Sequence, residues 1–443
     1  MQIILLSGGS GKRLWPLSND TRSKQFLKLL QAPDGSYESM VQRIFRQISE
    51  SDIEPSLTIA TSASQHDSII NQLGDSVDVV TEPERRDTFP AIALSSSYLI
   101  KTKGCSADEV VVVMPSDSYV ESGYFDTISK MAKAVENGEA DMVLMGIKPT
   151  EPSTKFGYIV PKGGGKDVVK VDRFTEKPNK QVAIELLEQN ACWNGGLFAF
   201  KLGYIAQIIE RYIKADSFDE IRSRYSEFPK ISFDYEVVEN ASSIAMVSYS
   251  GIWSDLGTWN ALSEKIINNT IGNAVVATSK NTHVVNEIDI PIVCLGVEDL
   301  IVTASPDGIL VSTKQESVNL KSYADKLTAR PMYEERRWGK YRVMGQESFE
   351  DGHKALTKLL YLNKGCNISY QYHNNREEIW TFVDGEGILV LDGEIINVSR
   401  GYVAHIKAGQ KHAVRAITDL QIIEVQSGTE LVEEDIIRLD WQW

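Results

Sequence analysis

Gly8, Gly9 and Gly11 stand together near the start of the chain, with Lys12 and Arg13 beside them and Lys24 a little further on. Glycines take backbone conformations with positive φ and let main-chain N–H groups come close to a ligand, and neighbouring cations draw negative charge. A phosphate-rich ligand suits that combination. Leu6 stands where a P-loop needs its first glycine and Arg13 where it needs Ser or Thr, while Leu14 fills the third glycine position of the dinucleotide fingerprint. Neither of those phosphate loops is present. A glycine-rich surface turn with incidental basic neighbours is the plain alternative.

Two aspartates and one polar stretch come next. Asp117, in Met-Pro-Ser-Asp-Ser, follows the apolar run 110–114, and Asp255 sits in Trp-Ser-Asp-Leu-Gly-Thr-Trp. Taken alone, an aspartate after a strand is an ordinary turn residue. Residues 81–91, Thr-Glu-Pro-Glu-Arg-Arg-Asp-Thr-Phe-Pro-Ala, are by spacing a polar loop that Thr88 caps at a helix start, with Pro90 in the first turn.

The elements that must position these residues are legible as periodicity. Residues 3–6 form an apolar run too short for a helix, which predicts a strand buried on both faces. Residues 57–60, 110–114 and 142–147 read as further strands, and 39–48, 90–99 and 125–135 as helices. Strand and helix in alternation imply a doubly wound α/β sheet, in which ligands bind beyond the carboxyl ends of the strands. The glycine loop after Leu6 and Asp117 after Met114 both fall there.

The pattern G-G-x-G-x-R-L-x-P-L-S, continuing to K-Q-F, resembles the signature of sugar-1-phosphate nucleotidylyltransferases, and more narrowly the mannose-1-phosphate guanylyltransferase branch. The resemblance implies a Rossmann-like nucleotidyltransferase domain that joins GTP to mannose 1-phosphate, giving GDP-mannose for surface polysaccharide or fucose synthesis. It places Leu6, Gly8, Gly9, Gly11, Lys12, Arg13, Glu82, Arg86, Thr88, Pro90 and Ala91 around the nucleotide. Phe156-Gly157-Tyr158-Ile159, Phe174-Thr175-Glu176-Lys177-Pro178, Trp193-Asn194-Gly195-Gly196 and Ser232-Phe233-Asp234-Tyr235 resemble the family's sugar segments. They imply sugar-phosphate contacts from Gly157, Tyr158, Glu176, Lys177, Asn194 and Asp234, together with Lys24. Gly195 replaces the family's serine. Asp117 and Asp255 match the aspartates that bind Mg²⁺ between the two reacting phosphates, and carboxylates with phosphate oxygens and water suit its octahedral shell. Arg13, Lys24, Asp117 and Asp255 are the expected catalytic set. A related enzyme for another nucleotide or sugar phosphate, or a binding scaffold on the same fold, are the competing readings.

From residue 268 short β-rich runs (274–277, 292–295, 300–303, 309–312) alternate with Gly, Asn, Asp and Pro, which predicts a small β connector to residue 329 after a first domain of residues 1–267. Residues 330–443 show alternating strands and Asp-Gly turns, the mark of an all-β domain. This part resembles the mannose-6-phosphate isomerase cupin that is fused to the guanylyltransferase in bifunctional enzymes. The family's zinc ligands map onto Gln371, His373, Glu378 and His412, a donor set that suits Zn²⁺. The family's H-H-H-R-x-E-H run reads His373-Asn374-Asn375-Arg376-Glu377-Glu378-Ile379 here. A zinc isomerase, and a cupin kept for stability or subunit contact, are both consistent with that departure.

The net charge of −15 argues against non-specific nucleic-acid binding, so an anionic substrate must be held by local cations, amides and metal. Four scattered cysteines indicate neither a disulfide framework nor a cysteine zinc site. No run approaches the roughly 20 apolar residues of a membrane span, and the chain opens on a strand without the regions of a signal peptide. A cytoplasmic homo-oligomer, most simply a dimer, is the expectation.

Overall fold

Residues 2–6 pair in parallel with 56–60 on one side and 111–115 on the other. They form the third strand of a nine-stranded sheet, which a computed structural model of the chain describes for every residue except Ser10, Asp20 and 164–166 and the side chain of Glu434. The strand order is Asp78–Glu82, Ser56–Ser62, Gln2–Leu6, Val110–Pro115, Cys192–Lys201, Met142–Ile147, Ile244–Tyr249, Val168–Thr175 and Tyr158–Pro161. The sheet is mixed: Cys192–Lys201 runs antiparallel to both its neighbours. Strict alternation buries both faces. Ile4, Val111, Val113, Leu144 and Phe200 join one core with the helix Thr88–Lys101, whereas Ile3, Leu5, Val112 and Met114, equally buried, point the other way.

The predicted helices form close to their expected bounds. Met40–Glu50 starts on a capping box in which Ser39 and Gln42 bond each other's backbone, and Gly123–Glu136 packs on the strands around Met142–Ile147.

The chain divides into two units by its contacts: Met1–Ser10, Ser23–His66 and Leu73–Ile267 form the first, and Gly11–Arg22, Asp67–Gln72 and Asn268–Trp443 the second. In the second, the connector is a stack of coils. Thr270–Ile271, His283–Asn286 and Leu300–Ser305 pair in parallel, as do Ala274–Ala277 and Ile292–Leu295, before Gly308–Thr313 closes the stack antiparallel. The 11–22 segment belongs to this stack. Arg22 makes a two-pronged pair with Glu287 (2.7 and 3.0 Å), and Ser305 Oγ donates to the Pro16 carbonyl at 2.7 Å. Two facing antiparallel sheets of six and five strands follow, with Trp380, Phe382, Leu389 and Ile422 between them. Among the described residues no helix is long and apolar enough to cross a membrane.

Candidate active site

The loop that leaves the strand Gln2–Leu6 is tied down through its carbonyl groups. Ser7 O accepts from Gln25 Nε2 (3.0 Å) and Thr61 Oγ1 (3.2 Å), and Gly9 O accepts from Ser23 Oγ (2.8 Å) and Gln65 Nε2 (2.9 Å). A cleft of about 410 Å³ opens above it, lined among others by Gly8, Gly9, Glu82, Arg86, Thr88 and Asp117. Glu82 reaches it from the end of the strand Asp78–Glu82. Its Oε2 accepts from the Tyr225 hydroxyl at 2.7 Å, and a β-carbon on Gly8 would come within 2.9 Å of Oε1 and press on that carboxylate. Burial pushes the Glu82 carboxyl up to about 7, against the pull of the Tyr225 hydroxyl. Thr88 opens its helix with Oγ1 accepting from Phe233 N at 2.9 Å, Arg86 Nε donates to the Phe228 carbonyl at 3.0 Å, and Ala91 lines the cleft.

At the other side of the same cleft stands a cation between two carboxylates. Lys24 Nζ lies 2.8 Å from Asp117 Oδ2 and 3.2 Å from Asp255 Oδ1. Burial opposes its charge, but the two aspartates outweigh that and hold the ammonium above its ordinary range. Asp255 is delivered by a short ribbon in which it faces Ser118, next to Asp117. A side chain on Gly257 would meet the Asp255 carboxylate at 2.9 Å. All donors here are oxygens, two carboxylates already sharing one cation, which is the chemistry a hard divalent ion such as Mg²⁺ takes.

The sugar segments converge. Asn194 N donates to Gly157 O at 2.8 Å and Asn194 Nδ2 to Asp234 Oδ1 at 2.6 Å, while Lys177 Nζ pairs with Glu176 Oε1 at 2.7 Å. Burial and then the Glu176 charge push the Asp234 carboxyl up to about 7. Phe156 packs on Trp193 (5.0 Å between ring centres) and Trp253 (5.2 Å), joining these segments to the strand that carries Asp255. Tyr158 corrects the expectation: its ring is fully buried and its hydroxyl donates to Ser153 O at 2.9 Å, so it supports the segment from within. Pro90 is likewise buried in the helix. Gly11, Lys12 and Arg13 group with the second unit, Arg13 being exposed.

In the β domain His373, Glu378 and His412 place ligand atoms within 4.8 Å of one another, all three buried. Gln371 sits opposite His412 in the ladder, its Oε1 accepting from Ser369 Oγ at 2.9 Å. His373 Nδ1 bonds the Asp435 carbonyl and His412 Nδ1 the Gln410 carbonyl, each at 3.0 Å. A carbonyl only accepts, so both Nδ1 atoms carry hydrogen and the Nε2 atoms face Glu378, at 3.1 Å from Oε1 and 3.6 Å from Oε2. The Arg376 guanidinium reaches both Glu378 Oε1 (2.9 Å) and His373 Nε2 (3.4 Å), so it is the His412 Nε2 lone pair that faces the carboxylate without a cation or proton between them. His412 Nε2 is buried and bonded to no group among the described residues. The set fits a transition metal such as Zn²⁺.

These geometries meet known proteins at both ends of the chain. The Nucleotidyl transferase family matches residues 2–270, and the Mannose-6-phosphate isomerase C-terminal family residues 325–441. The mannose-1-phosphate guanylyltransferase of Salmonella montevideo is 31% identical over 98% of this chain and 98% of its own. The chain belongs to the mannose-1-phosphate guanylyltransferase family. Another relative, xanthan biosynthesis protein XanB of Xanthomonas campestris, is 28% identical over 99% of this chain and 97% of its own. Among solved structures, a Thermus thermophilus protein named mannose-1-phosphate geranyltransferase aligns at a TM-score of 0.62 and 28% identity, over 74% of this chain and 99% of that one.

Within this guanylyltransferase frame, sequence reasoning missed the residues that hold the site rather than form it. Gln65 and Tyr225 are distant in sequence from the groups they bond, and nothing local marks them, while Gln25 stands inside the quoted K-Q-F without its bond to Ser7 being readable there. Arg376 stands inside the quoted histidine motif. It donates to Glu378 Oε1 at 2.9 Å, and Trp380 Nε1 takes Oε2 at 3.0 Å.

Proposed function

We propose that this protein transfers GMP from GTP to α-D-mannose 1-phosphate, releasing pyrophosphate. The observation that carries the reading is the triad Asp117–Lys24–Asp255 at one side of a cleft whose other side is the glycine loop and Glu82. A phosphate oxygen of the sugar 1-phosphate bonds to the α-phosphorus as the bond from that phosphorus to the β-bridging oxygen breaks, and the electron pair leaves with pyrophosphate. No protein nucleophile is needed; alignment and charge stabilisation suffice. Asp117 and Asp255 would hold Mg²⁺, which would supply positive charge to offset that of the reacting phosphates.

The loop amides at Gly8 and Gly9 hold the triphosphate, with Arg13 further along the same loop in sequence. Lys24 neutralises charge as it develops, and Lys177 holds the sugar phosphate. The Glu82 carboxylate matches the adjacent N1–H and N2–H donors of guanine, which adenine lacks. Asn194, Glu176 and Asp234 take the sugar hydroxyls. In the cupin, Gln371, His373, Glu378 and His412 hold a transition metal, for which the unpartnered His412 Nε2 is the supporting observation.

Pyrophosphate release from GTP, ATP, UTP and dTTP, each with mannose 1-phosphate and Mg²⁺, tests the reading. Release with GTP alone supports it, and release with none overturns it. On the same sample with zinc added, interconversion of mannose 6-phosphate and fructose 6-phosphate that disappears in His373→Ala would make the protein bifunctional. A Gly157→Ala chain tests the sugar side. Its new methyl would press on Glu176 Oε2 and stand 2.8 Å from the Phe174 ring. The KM for mannose 1-phosphate is expected to rise about tenfold, a loss of about 1.4 kcal/mol, with that for GTP little changed. Steady-state kinetics with each substrate varied in turn check it.

A further inference from the structure

The segment after the last long strand of the cupin lies across the metal cluster. Val432 O accepts from Arg376 Nη1 at 2.8 Å, and Asp435 O accepts from His373 Nδ1 at 3.0 Å. The Asp435 carboxylate takes the main-chain N–H groups of Asn374 and Asn375, both at 3.0 Å, and so fixes the turn that carries His373. Ile437–Arg438 then adds a strand beside Asn367–Tyr372, with Arg438 opposite Gln371. Leu439 N donates to Tyr370 O at 2.8 Å, and the Trp441 ring packs on that of Tyr370.

The segment thus reaches His373 directly, Gln371 through the ladder and Glu378 through Arg376, which bonds both Val432 O and Glu378. Asp435 itself is buried. At Asn374 and Asn375 it bonds the backbone, whatever the side chain. We infer that Asp435 is the positioning residue of this cluster, and that docking of residues 432–438 and binding of a divalent transition metal are one linked event. The inference rests on the reading that the cluster takes a metal. Groups that orient metal ligands typically change affinity tenfold or more when removed. Because linkage is reciprocal, a metal that needs the docked segment must also hold it down.

The experiment uses the full chain and Zn²⁺ itself. Zinc affinity is read by competition with a chromophoric chelator, and release of residues 439–443 after trypsin cleavage at Arg438 is followed by mass spectrometry. Asp435→Ala is expected to bind zinc about tenfold more weakly and to lose its end faster. Zinc should slow that cleavage strongly in the parent and little in the variant. Asp435→Asn, whose carboxamide oxygen can still accept a backbone N–H, should fall between them, and it serves if the alanine chain does not fold. Equal zinc affinity in parent and variants, or cleavage indifferent to zinc in a parent that binds it, overturns the linkage and leaves the metal reading intact. A parent that takes up no zinc overturns the metal reading first, and the linkage with it.

Discussion

An Asp117→Asn chain is expected to release pyrophosphate from GTP and mannose 1-phosphate at about 10⁻² to 10⁻³ of the parent rate when Mg²⁺ is subsaturating. The size follows from what the carboxylate does twice. It holds the Lys24 ammonium at 2.8 Å, and with Asp255 it forms the oxygen pair that suits a hard divalent ion. The amide keeps the shape and removes the charge. Magnesium affinity should therefore fall, and the activity midpoint should move to higher Mg²⁺, with part of the rate recovered there. Asp255→Asn should behave alike. The double variant should lose much less than the product of the single losses, because both aspartates act through one cation site. A titration of rate against Mg²⁺ for the four proteins decides it. Parent turnover in Asp117→Asn at low Mg²⁺ would sink the assignment.

That site was partly legible because its parts are local signals at strand ends. The run 3–6 and the glycines after it, and Asp117 just after Met114, need only neighbours a few residues away to be read, and the sheet then places both at one edge. The helix Met40–Glu50 was legible for the same reason, since Met40, Ile44 and Ile48 recur at helical spacing within a few residues, and all three are buried. The long strand Cys192–Lys201 was not: nothing in an apolar run says that it will enter antiparallel between two strands far earlier in sequence. The connector showed its strands but not their parallel stacking, since pairing partners are set by how the chain coils. Tyr158 was expected as a sugar contact because its segment, Phe156-Gly157-Tyr158-Ile159, resembles the family's. Side chains alternate along a strand, and the ring went into the core. Nothing local sets Asp435 apart from its acidic neighbours, because the bonds its carboxylate makes are to residues about sixty positions back along the chain.

The second large effect concerns pH and the base. With the Glu82 carboxyl near 7, the group is mostly an acid at pH 6 and mostly a carboxylate at pH 8. Only the carboxylate accepts both guanine N–H groups, so kcat/KM for GTP should rise about tenfold between those values. In Glu82→Gln the amide still accepts once but turns an NH₂ toward guanine's own donor. Loss of charge-assisted bonds worth about 1.5–3 kcal/mol each should lower kcat/KM for GTP at pH 8 by about 10²-fold or more and narrow the preference over ATP. The rise with pH should vanish in the variant. Ionisation of the GTP phosphates is common to both proteins, so the difference between the two profiles isolates Glu82. Burial raises the midpoint, the Tyr225 hydroxyl and Arg85 draw it down, and Asp87 adds to the rise. The shift also bears on stability. A carboxyl held above its ordinary 4.5 contributes stability that is full below that value and is lost as pH rises through about 7. The nucleotide-free parent should therefore soften between pH 5 and 7.5 more than Glu82→Gln does, and thermal unfolding across that window reads the difference. Identical slopes in the two proteins, with an unchanged GTP profile, would remove Glu82 from base recognition.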